Sequence, residues 1–478
     1  MRRADAVVVG AGPNGLAAAL TLARAGLTVD VIEGAPEPGG GCRTGALTLP
    51  GYAHDICSTV HPLAAASPLF RSLDLGARGA ELVAPPVAFA HPLDGGRAAA
   101  VAGSVDETAA LLGADGAAYR RLMGPLVRDA EPLLAQFLAP LRGLRARPLA
   151  AGRFAAAGVL PASLLARRLR TEEGQALVAG LAGHAIQPLT APVTGGFALL
   201  LGLLAHTTGW PVVAGGSARL TDALTAELSA LGGRVETGRW VHRLEDLPPA
   251  RTVLLDVTPR QLGRMAPRRL PPGYLRALRR FRYGPGVCKV DWALAGPVPW
   301  AAPACRETVT VHLGGTLAEV AESEAQVAAG RHPERPYCIV AQPGVADPGR
   351  APAGGHVLWG YCHVPSGSTV DMSARIEAQI ERFAPGFRDL ILARSVRTAA
   401  DLAAYDPNYI GGDINGGAGT LIQTLLRPVP RWNPYRTPVG GLYLCSASTP
   451  PGGGVHGMCG YWAARTALGD LGVRLANL

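Results

Sequence analysis

The chain has 478 residues, 48% hydrophobic and 17% charged, with a net charge of +9 carried almost wholly by arginine. That balance excludes a disordered chain and predicts a globular protein of two or more domains with a large buried core. The apolar run Phe197 to Ala205 is far short of the about eighteen residues a bilayer-spanning helix needs, and the basic residues lack the interleaved aromatics of a nucleic-acid surface.

The first forty-four residues carry the most information. Ala6-Val7-Val8-Val9 reads as a buried strand, Gly10-Ala11-Gly12-Pro13-Asn14-Gly15 as a glycine turn, and the alanine- and leucine-rich run to Gly26 as a helix. Thr28-Val29-Asp30-Val31-Ile32-Glu33 is a second strand ending in an acid, and Gly39-Gly40-Gly41-Cys42-Arg43-Thr44 is a second glycine turn with an arginine. In such a unit Gly10 makes the tight turn, Gly12 lets backbone approach a pyrophosphate, and Gly15 lets the helix pack on the strand. The helix N-terminus offers free N–H groups and partial positive charge to phosphates. Glu33 stands where an acid accepts both hydroxyls of an adenosine ribose. Met1-Arg2-Arg3 before apolar residues has the look of a leader, but Asp5 and the glycine fingerprint make that stretch the first strand of a cytoplasmic protein.

The dinucleotide unit continues to about Leu73. From Val105 to about Leu204 apolar residues recur at three- and four-residue spacing, predicting helices over Val105–Leu112, Tyr119–Leu144 and Glu173–His184. Between Pro132 and Thr171 there is no acid, while Arg142, Arg145, Arg147, Arg153, Arg167, Arg168 and Arg170 alternate with Leu, Ala and Phe. This is a solvated helical cap beside a substrate mouth, or a surface that meets an anionic membrane. Near Trp210 the pattern returns to α/β: a helix over Arg219–Leu231, a cap at Gly232-Gly233, a strand through Arg234–Leu244 and a buried strand from Arg251 to Pro259. From Gln261 to about Thr424 a mixed region carries strands near Val309–His312, Tyr337–Gln342 and Val357–His363. It also carries Lys289, the chain's single lysine. The alternation of Val287, Lys289 and Asp291 with Cys288, Val290 and Trp292 is a strand with one polar face, which lines a cavity or faces solvent. A lone lysine among arginines suits a role that needs a change of protonation when buried.

The last landmark runs from the strand Gly441–Cys445 through Ser446-Ala447-Ser448 and Gly452-Gly453-Gly454-Val455 to a helix near His456. A helix N-terminus there would favour the negative charge of a reduced isoalloxazine by up to about 2 kcal/mol. No second GxGxxG follows a mid-chain strand, so one dinucleotide is expected, and the glycine loop points to FAD. The eight cysteines form no CxxC, and no Cys/His group has metal spacing. They are expected to be reduced, with no disulfide chemistry and no metal.

GAGPNG, Glu33, GGGCRT and the C-terminal glycine loop together resemble the FAD-dependent carotenoid desaturase and amine oxidase superfamily, in its branch of phytoene dehydrogenase-like proteins. Similarity extends over His54-Asp55, Trp210–Leu220 and Asn408 through Arg465. The resemblance implies a Rossmann-like α/β domain with a doubly wound sheet, from residues 1–75, 205–260 and 425–478. A discontinuous α+β substrate domain with a helical cap would come from 76–204 and 261–424. It places Gly10, Gly12, Gly15, Glu33, Gly40, Gly41 and Arg43 on the ADP and pyrophosphate, Val241 at adenine, and Gly453, Gly454 and Val455 at the flavin edge. Ser446 to Ser448 take the position where many members carry an acid for the ribityl chain.

The implied reaction removes hydride from an apolar or amphipathic small molecule and a proton from a neighbouring atom, making C=C or C=N, with oxygen or a quinone as electron acceptor. Candidate bases are Lys289, His184, His54 and His456. A redox-neutral flavin-dependent isomerase and a flavin-bound protein without catalysis remain as alternatives.

Overall fold

The computed structural model describes residues 4–140 and 147–474; Arg142 and Arg145 lie outside them. Two sheets organise the chain. The first is parallel, in the order Leu442–Leu444, Thr252–Leu255, Ala6–Val9 (β1), Val29–Ile32 (β2), Arg234–Glu236. Its central strand β1 is wholly buried, as an all-apolar strand covered on both faces must be. The helix after β1, Pro13–Arg24 (α1), is buried from Asn14 to Ala23, because its small residues let other elements pack close around it.

The closest approaches are backbone on backbone. A Cβ on Gly15 would lie 2.0 Å from the carbonyl oxygen of Gly10, and one on Gly460 would lie 1.8 Å from that of Asn14. Gly460 belongs to the C-terminal helix Met458–Asp470. The far end of the chain therefore packs directly on the first helix, and the C-terminal ends of β1 and its neighbours open on one side.

The second sheet has seven strands, in the order Ile391–Arg397, Gly286–Leu294, His356–Val364, Cys338–Ala341, Thr308–Leu313, Val87–Leu93, Arg97–Val101. Its pairs are antiparallel except Thr308–Leu313 with Val87–Leu93. Lys289 pairs with Tyr361 and Asp291 with Trp359, so these four share one face, as the alternation predicts. The other face carries Cys288, Val290 and Trp292 against Ile376, Ile380 and Phe383 of the helix Ser373–Phe383.

Three expectations change. The strand after Gly233 is Arg234–Glu236 and ends well before Leu244, where a 3-10 turn, Leu244–Asp246, begins. The helix from Tyr119 is two, Gly116–Arg128 and Ala130–Phe137: Pro132 would drive its ring into the Arg128 carbonyl in a continuous helix. The C-terminal helix starts at Met458, two residues past His456. The hairpin of Val87–Leu93 and Arg97–Val101, turning at Asp94-Gly95-Gly96, is an element that helical periodicity did not reveal.

Replacing Gly460 by alanine puts a methyl where no space exists. The substitution should cost about 1–3 kcal/mol, the usual range for overpacking, read as a lower midpoint in chemical denaturation. An unchanged midpoint would show that the two helices are not in this close contact.

Candidate functional site

The C-terminal ends of β1 and β2 open into a cavity of about 610 Å³ that continues to the face of the second sheet. At one end lie Glu33, Gly34, Trp240 and Val241; in the middle, the two glycine turns with Asp256 and Asp406; at the far end, His61, Leu63, His184, Trp210, Trp359 and Tyr361. Open parallel sheets bind ligands outside the carboxyl ends of their strands, and this cavity occupies that place.

The near end is built from backbone. The two glycine turns touch: a Cβ on Gly40 would lie 3.2 Å from Cα of Gly12, and Gly39 N–H donates to the Ala11 carbonyl at 2.9 Å. Side chains on Gly12 or Gly40 would fill the cradle. The Glu33 carboxylate accepts N–H groups from Ala11 at 2.6 Å and Ala35 at 2.9 Å. These occupy two of its about four lone-pair sites. The Trp240 ring covers Gly34, where a Cβ would lie 2.6 Å from it, yet Trp240 is 53% exposed. A tryptophan half in water at a cavity mouth is suited to stacking on a flat ligand.

Arg43 is held in place. Its guanidinium donates to the carbonyls of Glu37 at 2.7 Å and Pro38 at 3.2 Å and to the Tyr405 hydroxyl at 3.1 Å, with Glu33 at 3.6 Å. Asp256 Oδ2 accepts the Gly15 N–H at 2.9 Å. Burial, with Asp406 and Glu33 nearby, pushes its carboxyl up to about 8.

The far end is mostly apolar, with one histidine pair. His184 Nε2 lies 2.9 Å from His312 Nε2, so one ring donates and the other accepts. Burial lowers His184 to about 3 and His312 well below its ordinary value. Both are neutral near pH 7, and His184 faces the cavity while His312 stands behind it.

The structure brings Gly10, Gly12, Glu33, Gly40, Gly41, Arg43, Val241, Gly454, Val455 and His184 to this cavity. Gly15 and Gly453 serve packing just outside it; a Cβ on Gly453 would lie 2.6 Å from the Asn415 carbonyl oxygen. Lys289, His54 and His456 do not line it. Lys289 Nζ pairs with Asp291 at 2.5 Å and sits 5.2 Å from the centre of the Trp359 ring, with His54 Nδ1 3.7 Å from Asp291. His54 Nε2 bonds the Thr48 hydroxyl at 2.7 Å. His456 accepts the Met458 N–H at 3.0 Å and contacts the Gly452 carbonyl at 3.2 Å, so its ring occupies the first turn of the C-terminal helix. Of this loop, Gly454 and Val455 line the cavity. Ser446 and Ser448 line the middle, Ser448 Oγ donating to the Gly416 carbonyl at 2.8 Å.

Sequence reasoning missed Trp240, Asp256, His61, Trp359 and the Tyr405–Tyr409 turn. Asp256 ends the strand beside β1, and an acid at that sheet position was the available signal. Trp359 and Tyr361 were visible as alternate residues of a predicted strand, but which face met a cavity was not. All eight cysteines are free thiols, seven of them buried. Among the described residues no group of three or more His, Cys, Asp or Glu is placed to hold a metal ion, and no helix is long and apolar enough to cross a membrane.

A family model described as an NAD(P)-binding Rossmann-like domain matches residues 8–74. Over 98% of its length the chain is 28% identical to pyridine nucleotide-disulfide oxidoreductase domain-containing protein 2 of Rattus norvegicus, and 29% identical to that of Mus musculus, covering 94% of each relative. The likeness carried by the motifs runs through the whole chain. Among solved structures, an oxidoreductase from Methanosarcina mazei matches with a TM-score of 0.67 at 17% identity, over 97% of this chain and 99% of that one. Putrescine oxidase bound to putrescine matches at 0.60 and 19%, over 98% and 99%. Cyclohexylamine oxidase from Brevibacterium oxydans matches at 0.57 and 15%, over 98% and 100%. The chain has the fold of these oxidases.

Lys289→Met leaves Asp291 buried without its cation and should cost about 3–5 kcal/mol in denaturant unfolding. The double variant Lys289→Met with Asp291→Leu should recover much of that loss. Equal stability of single and double variants would show that the pair is not a buried unit.

Burial also holds His54, His61, His91, His206 and His456 at about 4, and His184 at about 3. In the unfolded chain each titrates near 6.5. The unfolded state therefore binds more protons, and this stability, full above about pH 6.5, is lost as pH falls towards 4. Each fully differing histidine contributes a slope of about 1.4 kcal/mol per pH unit. The urea midpoint should drop steeply between pH 6.5 and 4.5; a flat midpoint would contradict the neutral, buried assignment.

Proposed function

We propose that this protein is an FAD-dependent oxidoreductase of the dehydrogenase, desaturase or oxidase type, acting on an apolar or amphipathic small molecule. The observation that carries the reading is the continuity of one cavity, from a dinucleotide-type strand and glycine-turn end to an apolar, aromatic end on a second sheet. A nucleotide-binding module alone has no need of the second part.

The residues at the near end fit FAD. Glu33 has lone pairs left for ribose hydroxyls, Trp240 a flat face for adenine, and the touching glycine turns a backbone-lined cradle for a diphosphate. Gly416, Ser446 to Ser448, Gly454 and Val455 line the stretch between those turns and the aromatic end, where the redox-active ring would be held. Bound FAD would supply the hydride acceptor, which side chains alone do not provide. The chain's own share is binding, orientation and exclusion of water.

At the aromatic end, Leu63, Leu201, Trp210, Ile339, Trp359 and Tyr361 give an apolar surface suited to an apolar or amphipathic molecule. His184 is the candidate base: neutral, facing the cavity and oriented by His312. A positioned base contributes about 10²–10⁴-fold, and the low proton affinity that burial gives His184 puts it at the weak end of that range. His54, His456 and Lys289 are engaged in structural contacts outside the lining, which favours His184 over them.

The decisive test is the spectrum of the purified protein. Bound FAD, released intact on denaturation, is the expected result; a colourless protein that takes up no added FAD would sink the proposal. Arg43→Ala should weaken FAD retention at least tenfold in dialysis, since it removes the clamp that fixes the second glycine turn. Once a substrate is in hand, His184→Ala should slow anaerobic flavin reduction more than tenfold. A smaller effect would remove it as the base.

A further inference from the structure

We propose that Asp256 couples dinucleotide binding to proton uptake at alkaline pH, where its carboxyl is ionised in the free protein and takes a proton from solvent as FAD binds. The inference rests on the dinucleotide reading of the cavity and assigns one residue of that site a specific task.

Thr252–Leu255 runs parallel to β1 with Leu255 opposite Val9, so the next residue, Asp256, lies beside the turn that follows β1. Its Oδ2 is 2.9 Å from the Gly15 nitrogen and 3.2 Å from where a Cβ would stand on either Gly12 or Gly15. Its own Cβ is 3.0 Å from where one would stand on Gly10. One carboxyl group thus rests against all three glycines of the fingerprint, on the cavity wall.

That carboxyl is the N-terminal cap of α1. The N-cap residue, Gly12, has no side chain to offer, and Pro13 has no N–H. The first-turn donor Gly15 N–H is met by Asp256 instead. A carboxylate here is itself the anion that a helix N-terminus favours. A dinucleotide brings its diphosphate to the same positive end, so the two negative groups compete for one place.

Among the described residues no cation pairs with Asp256; its side chain meets the Gly15 N–H. The contrast is Asp55, which holds Arg350 at 3.0 Å and is lowered from the usual carboxylate range by that cation despite its burial. The charged and titratable groups around Asp256 come from several elements. Glu33 follows β2, and Asp406 lies on the turn after the helix Ala399–Tyr405; both are acids whose charge raises Asp256. Arg43 is spent on the Glu37 and Pro38 carbonyls, Tyr405 and Glu33. Arg239 is spent on Glu236 at 2.8 Å and the Asp246 carbonyl at 2.9 Å. Arg264 lines the cavity from the helix Pro259–Met265. The Cys445 and Cys459 thiols and the Tyr405 and Tyr409 hydroxyls nearby are all raised by burial and stay neutral.

With a titration point already at about 8, a modest further push by a diphosphate is enough to keep the group protonated. The neutral carboxylic acid still accepts the Gly15 N–H with one oxygen and gains an O–H donor on the other. Charge balances simply: solvent gives up a proton, the Asp256 carboxylate takes it, and no bond of the dinucleotide changes.

The test is FAD binding to apoprotein between pH 6 and 9.5, by quenching of flavin fluorescence and by calorimetry in two buffers of different ionisation heat. Below about pH 8 the dissociation constant should be flat. Above it, affinity should fall towards tenfold per pH unit, with uptake approaching one proton per FAD. Adenosine, which lacks phosphates, should bind without proton uptake. Asp256→Asn keeps the cap through its amide oxygen and removes the charge; its dissociation constant should be flat with pH and about tenfold tighter than wild type at pH 9. A wild-type affinity independent of pH, no proton uptake above pH 8, or an unchanged slope in Asp256→Asn would each overturn the coupling while leaving FAD binding intact. Failure of wild type and variant alike to bind FAD at any pH would overturn the dinucleotide reading itself.

Discussion

Backbone meeting backbone around the first helix is the constraint on which the rest depends. Gly15 lets α1 lie on the turn of β1, and Gly460 lets the C-terminal helix lie on α1. Each contact is closer than any side chain permits. With α1 drawn in this tightly, its N-terminus sits level with the ends of the parallel strands, and the second glycine turn can rest against the first. Widen either approach by a methyl group and the cradle between Gly12 and Gly40 loses its floor. The shape of the near end is therefore a packing property before it is an electrostatic one.

The far end obeys a different rule. It is a sheet face whose strands come from residues 87 to 397, and its character depends on which side of the pleat each residue takes. Lys289, Asp291, Trp359 and Tyr361 share that face, but they do not share a fate. The aromatic rings reach the cavity, and the ion pair lies behind them in contact with Trp359. Burying a charge pair under an aromatic lining keeps the lining fixed without offering its charge to the cavity.

Much of this was legible in the sequence, and what was not has physical reasons. Strands β1 and β2, the helix between them, the Arg251–Pro259 strand and the last strand were readable because buried parallel strands are short apolar runs with glycine punctuation. The alternation around Lys289 was readable because a pleat has period two. Lysine's rarity marked a special environment but not its kind, since composition is silent on whether a buried cation meets a ligand or an aspartate. His184 and His456 looked alike in sequence. One ends a helix at the cavity wall and the other precedes a helix and accepts its first N–H, a difference set by tertiary contacts more than a hundred residues away. Asp256 was hidden because its partners, Gly15 and the acids Glu33 and Asp406, converge from distant segments. The division into two discontinuous domains and the FAD contacts remain expectations drawn from the resemblance.

The parallel sheet also has a bearing on how the molecule comes into being. Its strand order interleaves the beginning of the chain with its middle and its end, Leu442–Leu444 lying two places from Ala6–Val9. During synthesis the first helix emerges more than four hundred residues before the helix that covers it. Until Met458–Asp470 arrives, a small-residue face built for intimate contact stands open to water and to other chains. Long-range pairings of this sort form slowly and leave incomplete species prone to association. Completion of the cavity thereby waits on the Met458–Asp470 helix, because the first helix has no finished packing before it arrives.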